Sequence, residues 1–229
     1  SDTDYFEGVP KGMSVLIFTG FASMDVLEAG LFDARPVETS PGAANTVFEE
    51  YKQKLIAAFE NVSKDSLSLS GALLEVANGR LFGATEILRD AGRAFARIKD
   101  TREIPSVALV GEIYVRCDPF ANDFIAEKLE RHGIRVRFAP FTEWLEYTDY
   151  ANRVLGKQNG FGTQLSSFVQ KRIQSRTYAL MGDELGWPKR TTVHDTIHAG
   201  RDYVREELIG EAILTVGGPV HEWREGLID

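Results

Sequence analysis

A single cysteine, Cys117, stands among the 229 residues. It has no partner for a disulfide within the chain, and one thiolate cannot by itself build an iron-sulfur cluster or a multi-cysteine zinc site. A basic excess is missing too: 26 Lys and Arg against 34 Asp and Glu give a formal net charge of -8. The clustered cations that bind phosphate backbones are not there, so neither nucleic acid nor an anionic membrane surface is an expected partner. No apolar run read along the sequence approaches the roughly 20 residues of a bilayer span, and the opening SDTDYFEG lacks the basic and apolar regions of a signal peptide. These absences point to a cytoplasmic protein. The three spaced glycines of a dinucleotide fingerprint and the glycine loop of a phosphate site are also missing. The first residue is not methionine, and Gly226, Leu227, Ile228 and Asp229 read like the opening of a strand after a helix. The expectation is a piece of a longer polypeptide.

What is present is organised around Ser106 to Pro140. Ser106 to Val115 is an almost unbroken apolar run, as expected of a strand buried on both faces of a parallel sheet. Asp118 is placed to cap a following helix with Pro119 at its first position, and Phe124, Ile125 and Leu129 share that helix's face. Gly133 supplies the stop. Ile134, Val136 and Phe138 then alternate with Arg135 and Arg137, the period of a second strand. Two parallel strands with a right-handed crossover place the loop after the first strand at the mouth of the sheet, where open α/β folds bind ligands.

Before this unit, Ser14 to Phe18 reads as a short strand that joins the same sheet, followed by a helix capped by Ser23. Ala43 to Asn61 is an amphipathic helix with Phe48, Tyr51, Leu55 and Phe59 on one face. Helical periodicity resumes over Ala72 to Ala77 and Leu81 to Lys99. After it, Thr142 caps a helix through Val154, and Gly156 to Gly162 is a break. Phe161 to Leu185 is a long helix stopped at Gly186, Trp187 and Pro188. Thr192 and Asp195 form a capping box, and a last helix after Ile209 meets Pro219, expected to kink it or end it after Thr215. The fold class is therefore α/β, a Rossmann-like (flavodoxin-like) parallel sheet with flanking helices. Residues 1–104 form a mainly helical segment with one strand, and 105–229 the Rossmann-like portion.

The loop after the first strand collects Glu112, Tyr114, Arg116, Cys117, Asp118 and Asn122, a denser polar group than any neighbouring stretch. Glu112, Tyr114, Arg116, Asp118 and Asn122 are the candidate substrate-binding residues. Glu112, set in an apolar strand, is either a general acid or base or an anchor for the loop; the absence of a second carboxylate at catalytic spacing favours the anchor. Cys117, ahead of a helix N-terminus, is a candidate nucleophile or metal ligand weighed against simple packing. His194 and His198, four apart on a helix, are candidate metal ligands weighed against a solvated face. Arg35 and Glu38 flank Pro36 and form a structural ion pair or face an anionic ligand.

At VGEIYVRCDPFANDF, residues 110 to 124, the sequence resembles the activase-related proteins of the 2-hydroxyacyl-CoA dehydratase family. ARPVETSPG, residues 34 to 42, is similar to the family's Arg-Pro-aromatic-Glu turn, with Val37 in the aromatic's place. RVRFAPFTEWLEY and GEAILTVGGPVHEW, residues 135 to 147 and 210 to 223, are similar as well. The resemblance implies a Rossmann-like segment of an acyl-CoA dehydratase or reductase system that handles an iron-sulfur cluster and ATP-driven electrons. It implies a cluster in the parent protein rather than in this segment, with other domains or an ATP-dependent activase as partners and acyl-CoA as a ligand. It implies no independent catalysis here, and no ligand role passes to Cys117. Two other classes remain: a small-molecule-binding α/β domain with its own site at residues 106–122, and a structural or oligomerisation domain pairing through the helix from Phe161.

Overall fold

The computed structural model describes residues 11–229 apart from residues 64, 155, 157–160, 206, 207 and 209. The elements in chain order are α1 (Lys11–Ala34), α2 (Ala43–Glu60), α3 (Leu69–Ala77), α4 (Ala84–Ile98), β1 (Ser106–Leu109), α5 (Ile113–Cys117), α6 (Ile125–Arg131), β2 (Arg135–Phe138), α7 (Phe141–Val154), α8 (Phe161–Leu185), α9 (Val193–Gly200) and α10 (Ala212–Arg224), with 3-10 turns at Arg35–Val37 and Leu81–Gly83. The chain is mostly helical, with one small parallel sheet. β1 and β2 run in register from Ser106 beside Arg135 to Leu109 beside Phe138.

The expected strand at Ser14 to Phe18 is the second turn of α1, so among the described residues the N-terminal segment contributes no strand to the sheet. Thr19, just beyond the expected strand, and Ser23, the expected helix cap, are buried and donate back into the helix, Thr19 Oγ1 to the Val15 carbonyl at 2.8 Å and Ser23 Oγ to the Thr19 carbonyl at 2.7 Å. That back-bonding satisfies both hydroxyls without breaking the helix. The apolar run is thereby continuous: Gly12–Val37 has the length and composition of a membrane span, with mean hydropathy 1.6. In this fold it is the central helix of a bundle. Phe18, Ala22, Leu27, Leu31 and Ala34 of α1 lie buried with Leu55 of α2, Leu88 and Phe95 of α4, and Ile173 and Met181 of α8. Gly30 lets α1 pass close to α4 and α8; a Cβ there would lie 2.6 Å from Met181 Cε and 2.9 Å from the Phe95 ring.

The central strand also ends sooner than its apolar run suggests. It stops at Leu109; Gly111 adopts φ 138°, and residues 113–117 turn into α5. The next helix begins at Ile125 rather than Pro119, because Asp118 caps only the Phe120 amide at 2.9 Å and Asp123 and Phe124 both take left-handed backbone. Gly133, at φ 73°, ends it as expected.

Further on, α8 and the capping box of Thr192 and Asp195 match their expected positions. Pro219 sits inside α10, which continues through it to Arg224. Of the two outcomes expected at Pro219, a kink or an end after Thr215, the end does not occur: α10 packs along α9, with Ile213 and Leu214 buried against Val193, Ile197 and Tyr147. Packing of its first half against α9 holds the helix on either side of the missing donor's turn, with Gly217 in close contact with Thr196.

Arg35 and Glu38 do not pair with one another. Arg35 grips Glu130 of α6 through two bonds of 2.6 and 3.1 Å, while Glu38 caps α2 by accepting from Gly42 N and Ala44 N. Asp33, at the end of α1, accepts from Lys99 Nζ at 2.6 Å and Trp187 Nε1 at 2.9 Å and pairs with Arg135 Nε at 3.1 Å, tying the bundle to β2. The sheet is anchored to α1 by these charges and by the Phe32–Phe138 ring contact at 4.5 Å.

Candidate functional site

Both strands run the same way, so their carboxyl ends open on one side, where the chain leaves Leu109 for α5 and Phe138 for α7. A cavity of about 880 Å³ lies along β2 and the chain leaving it, between α1 and α8; from β1 only Ser106, at its amino end, lines it, while Arg116 and Cys117 reach it from α5. Its walls combine the apolar side chains Val26, Phe32, Phe138 and Phe141 with Asp25, Glu28, Arg116, Cys117, Thr142, Gln174 and Thr191, and with further charged side chains that include Asp33, Arg35, Lys99, Arg135, Arg137 and Arg190. Small-molecule sites combine apolar walls with convergent polar groups, and here the polar share is large.

Arg116 is the most unusual of these. It is only 8% exposed, and its Nε is buried with no hydrogen-bond partner. Its charge acts through space on Asp25 and Glu143, where it opposes the larger rise that burial forces on both carboxyls. Among the described residues no carboxylate forms an ion pair with it, although a buried guanidinium stays charged. Gln174 is similarly incomplete: Nε2 donates to the Thr142 carbonyl at 3.3 Å, while Oε1 is buried and unpartnered, as is Thr191 Oγ1.

The carboxyls around Arg116 have different settings. Asp25 reaches from α1 to cap α7, accepting from Phe141 N and Thr142 N at 2.9 Å each and from Thr142 Oγ1 at 2.6 Å. Thr142, the expected cap, is thus itself held by a side chain 117 residues away. Burial pushes Asp25 above the usual carboxylate range in spite of these bonds. Glu28, one turn on, is exposed and makes no hydrogen bond or ion pair among the described residues; partial desolvation and the Asp25 charge act to raise its carboxyl, and Lys52 opposes them. Glu143 is buried and pushed up to about 7 by desolvation, with Thr196 Oγ1 donating to it at 3.4 Å. Cys117 lines the rim, and burial raises its thiol above the ordinary value, so it is not an activated thiolate.

Of the residues expected from sequence, Arg116, Cys117 and Asn122 come together on this cavity. Asn122 shapes it by donating to the Val115 and Arg116 carbonyls at 3.1 Å each and accepting from Ile125 N at 3.3 Å. Glu112, Tyr114 and Asp118 do not line it. Glu112 is not inside a strand; it caps α5 by accepting from Val115 N at 3.0 Å, the anchor role. Tyr114 is 67% exposed. His194 and His198 stack with ring centroids 6.4 Å apart on α9, and no grouping of three metal-ligating side chains occurs among the described residues. Sequence reasoning missed Asp25, Glu28, Glu143, Gln174 and Thr191. The available signal was Asp25 and Glu28, two acids in an otherwise apolar stretch, obscured when that stretch was divided into a strand and a helix. No protein-family model, no curated protein and no solved structure matches the chain.

Proposed function

We propose that the cavity holds a small organic anion and that Arg116 supplies its counter-charge. The observation that carries this reading is a buried guanidinium with an unpartnered Nε and, among the described residues, no ion pair, set in a cavity that has both apolar and charged walls. A bound carboxylate completes the hydrogen bonding that the protein leaves open, and charge-assisted bonds of this kind are the stronger ones.

Together with the resemblance of residues 110 to 124, this reading makes the chain a cytoplasmic, Rossmann-like domain of a 2-hydroxyacyl-CoA dehydratase or reductase system, holding the acyl ligand for a redox centre elsewhere. Cys117 is the single thiol, so the donor set of this chain does not fit an iron-sulfur cluster, and no step is drawn through one here. A docking role is supported by exposed apolar side chains on the same loop: Tyr114, Val115 and Phe120 are 67, 46 and 83% exposed, beside Glu112 and Asp123. Such surface is typical of an interaction site. Isothermal titration with phenylacetate and with butyryl-CoA tests the proposal. Wild-type protein is expected to bind at least one of them, and Arg116→Gln to weaken binding roughly tenfold or more. No binding to either, or unchanged binding by the variant, overturns it.

A further inference from the structure

The side-chain amide of Gln174, on α8, is satisfied at one end and open at the other. Its Nε2 donates to the Thr142 carbonyl at 3.3 Å. A carbonyl oxygen only accepts, so the amide must turn its nitrogen that way, and the end left over is the acceptor Oε1, buried and without a partner. The residue is 4% exposed and lines the cavity. Its neighbours on that wall find acceptors in the protein: Thr177 Oγ1 donates to the Ile173 and Gln174 carbonyls at 3.1 Å each, and Tyr178 Oη to the Pro188 carbonyl at 2.9 Å. An enclosed acceptor that meets no donor from its own chain is a place for a donor from outside it.

Gln174 and Arg116 both belong to the part of the cavity around the first turn of α7. Gln174 reaches the Thr142 carbonyl, Asp25 accepts from the Thr142 amide and hydroxyl, and Arg116 acts through space on Asp25 and on Glu143, the residue after Thr142. Arg116 keeps an open donor there and Gln174 an open acceptor. Resting on the reading of this cavity as an organic-anion site, we propose that its ligand is an amino acid with an apolar side chain. Arg116 holds the carboxylate, and Gln174 Oε1 accepts from the ammonium. α1 adds a second acceptor to the same cavity in Glu28, which is exposed and forms no ion pair among the described residues. A carboxyl oxygen accepts whether or not its group carries a proton. The ligand group that meets both acceptors needs more than one hydrogen to give; an ammonium has three and a hydroxyl one. Phe32, Phe138 and Phe141 supply apolar wall for the side chain.

L-Phenylalanine, 3-phenyllactate and 3-phenylpropionate share a skeleton and a carboxylate and differ at Cα, which bears an ammonium, a hydroxyl or only hydrogen. Isothermal titration with all three separates the two contacts. Wild type is expected to bind phenylalanine roughly tenfold more tightly than phenylpropionate, the scale of one charge-assisted hydrogen bond in an enclosed site, with phenyllactate between them. Gln174→Leu, close in size and without the acceptor, should reduce that advantage to about twofold or less while binding phenylpropionate as wild type does. Arg116→Gln should weaken all three. Circular dichroism confirms that each variant is folded; should Gln174→Leu not fold, the order of the three ligands on wild type decides alone. Phenylalanine bound no more tightly than phenylpropionate, phenyllactate bound as tightly as phenylalanine, or an advantage that survives in Gln174→Leu overturns the amino-acid assignment and leaves the anion site standing. If none of the three binds wild type, or Arg116→Gln binds all of them as wild type does, the organic-anion site itself falls, and this inference falls with it.

Discussion

Replacing Glu143 by glutamine should make the protein's stability less dependent on pH, and the size of the effect follows from where Glu143 sits. The residue is buried, only 9% exposed, with one long hydrogen bond from Thr196 Oγ1 at 3.4 Å, and desolvation pushes its pKa from 4.5 to about 7. A carboxyl whose folded value lies above its unfolded one contributes stability in full below the unfolded value and loses it as pH rises through the folded value. The interval from 4.5 to about 7, at about 1.36 kcal/mol per pH unit, corresponds to about 3 kcal/mol. Wild type therefore loses about that much from Glu143 between pH 4.5 and pH 8, and Glu143→Gln does not. Urea unfolding of both proteins at pH 5 and pH 8 measures the difference directly. The variant is expected to be no more stable than wild type at pH 5, where it replaces a neutral acid by an amide, and about 2–3 kcal/mol more stable, relative to that baseline, at pH 8. Asp25, Glu28 and Glu130 titrate in the same direction, but they are common to both proteins and cancel. A stability difference that is the same at both pH values refutes the reasoning, because it means Glu143 is not forced to ionise inside the folded protein.

Asp25→Ala leaves two backbone amides and the Thr142 hydroxyl without their acceptor at the start of α7, and should cost about 2–4 kcal/mol in urea unfolding, with faster amide exchange in the first turn of α7; Asp25→Asn, which keeps one acceptor, should cost less. Gly217→Ala places a methyl 2.0 Å from the Thr196 carbonyl oxygen, so α9 and α10 must part, and a loss of about 2 kcal/mol or more is expected by the same assay. Pro219→Ala restores a donor to the Thr215 carbonyl within α10 and should raise the melting temperature; a lower one would show that the proline ring supplies contacts worth more than the hydrogen bond it removes.

The parts of the fold that the sequence made legible are those where local chemistry decides the outcome. The capping box of Thr192 and Asp195, the glycine stop at Gly133 and the 25-residue helix Phe161–Leu185 each follow from a signal contained within the element. The parts that went astray depend on what the element packs against. Ser14 to Phe18 is as compatible with a buried strand as with a buried helix, because an apolar run has no period to distinguish them, and the bundle of α2, α4 and α8 decides for the helix. The apolar run from Ser106 is broken at Gly111, whose φ of 138° ends the strand before Glu112 and so turns a supposed in-strand acid into a helix cap. The sheet that resulted is smaller than a Rossmann-like reading expects: two strands, with the helices carrying most of the core.

That same shortening explains why the site is only half visible in the motif at residues 110 to 124. With β1 ending at Leu109, the loop beyond it can deliver Arg116, Cys117 and Asn122 to the cavity but not Glu112 or Asp118, whose carboxylates are occupied with local amides. The acidic half of the site must then come from another element, and α1, which packs against β2 and lines the same cavity, supplies it. An apolar core helix tolerates carboxyls only where they find donors or open space. Asp25 finds the donors at the N-terminus of α7, and Glu28, a turn away on the same face, finds the cavity. The bundle's central helix is thus joined to the chemistry through Asp25. A substitution that loosens α7 should therefore disturb Arg116 and Glu143 together, whereas one confined to the exposed loop at Tyr114 or Phe120 should leave the cavity intact.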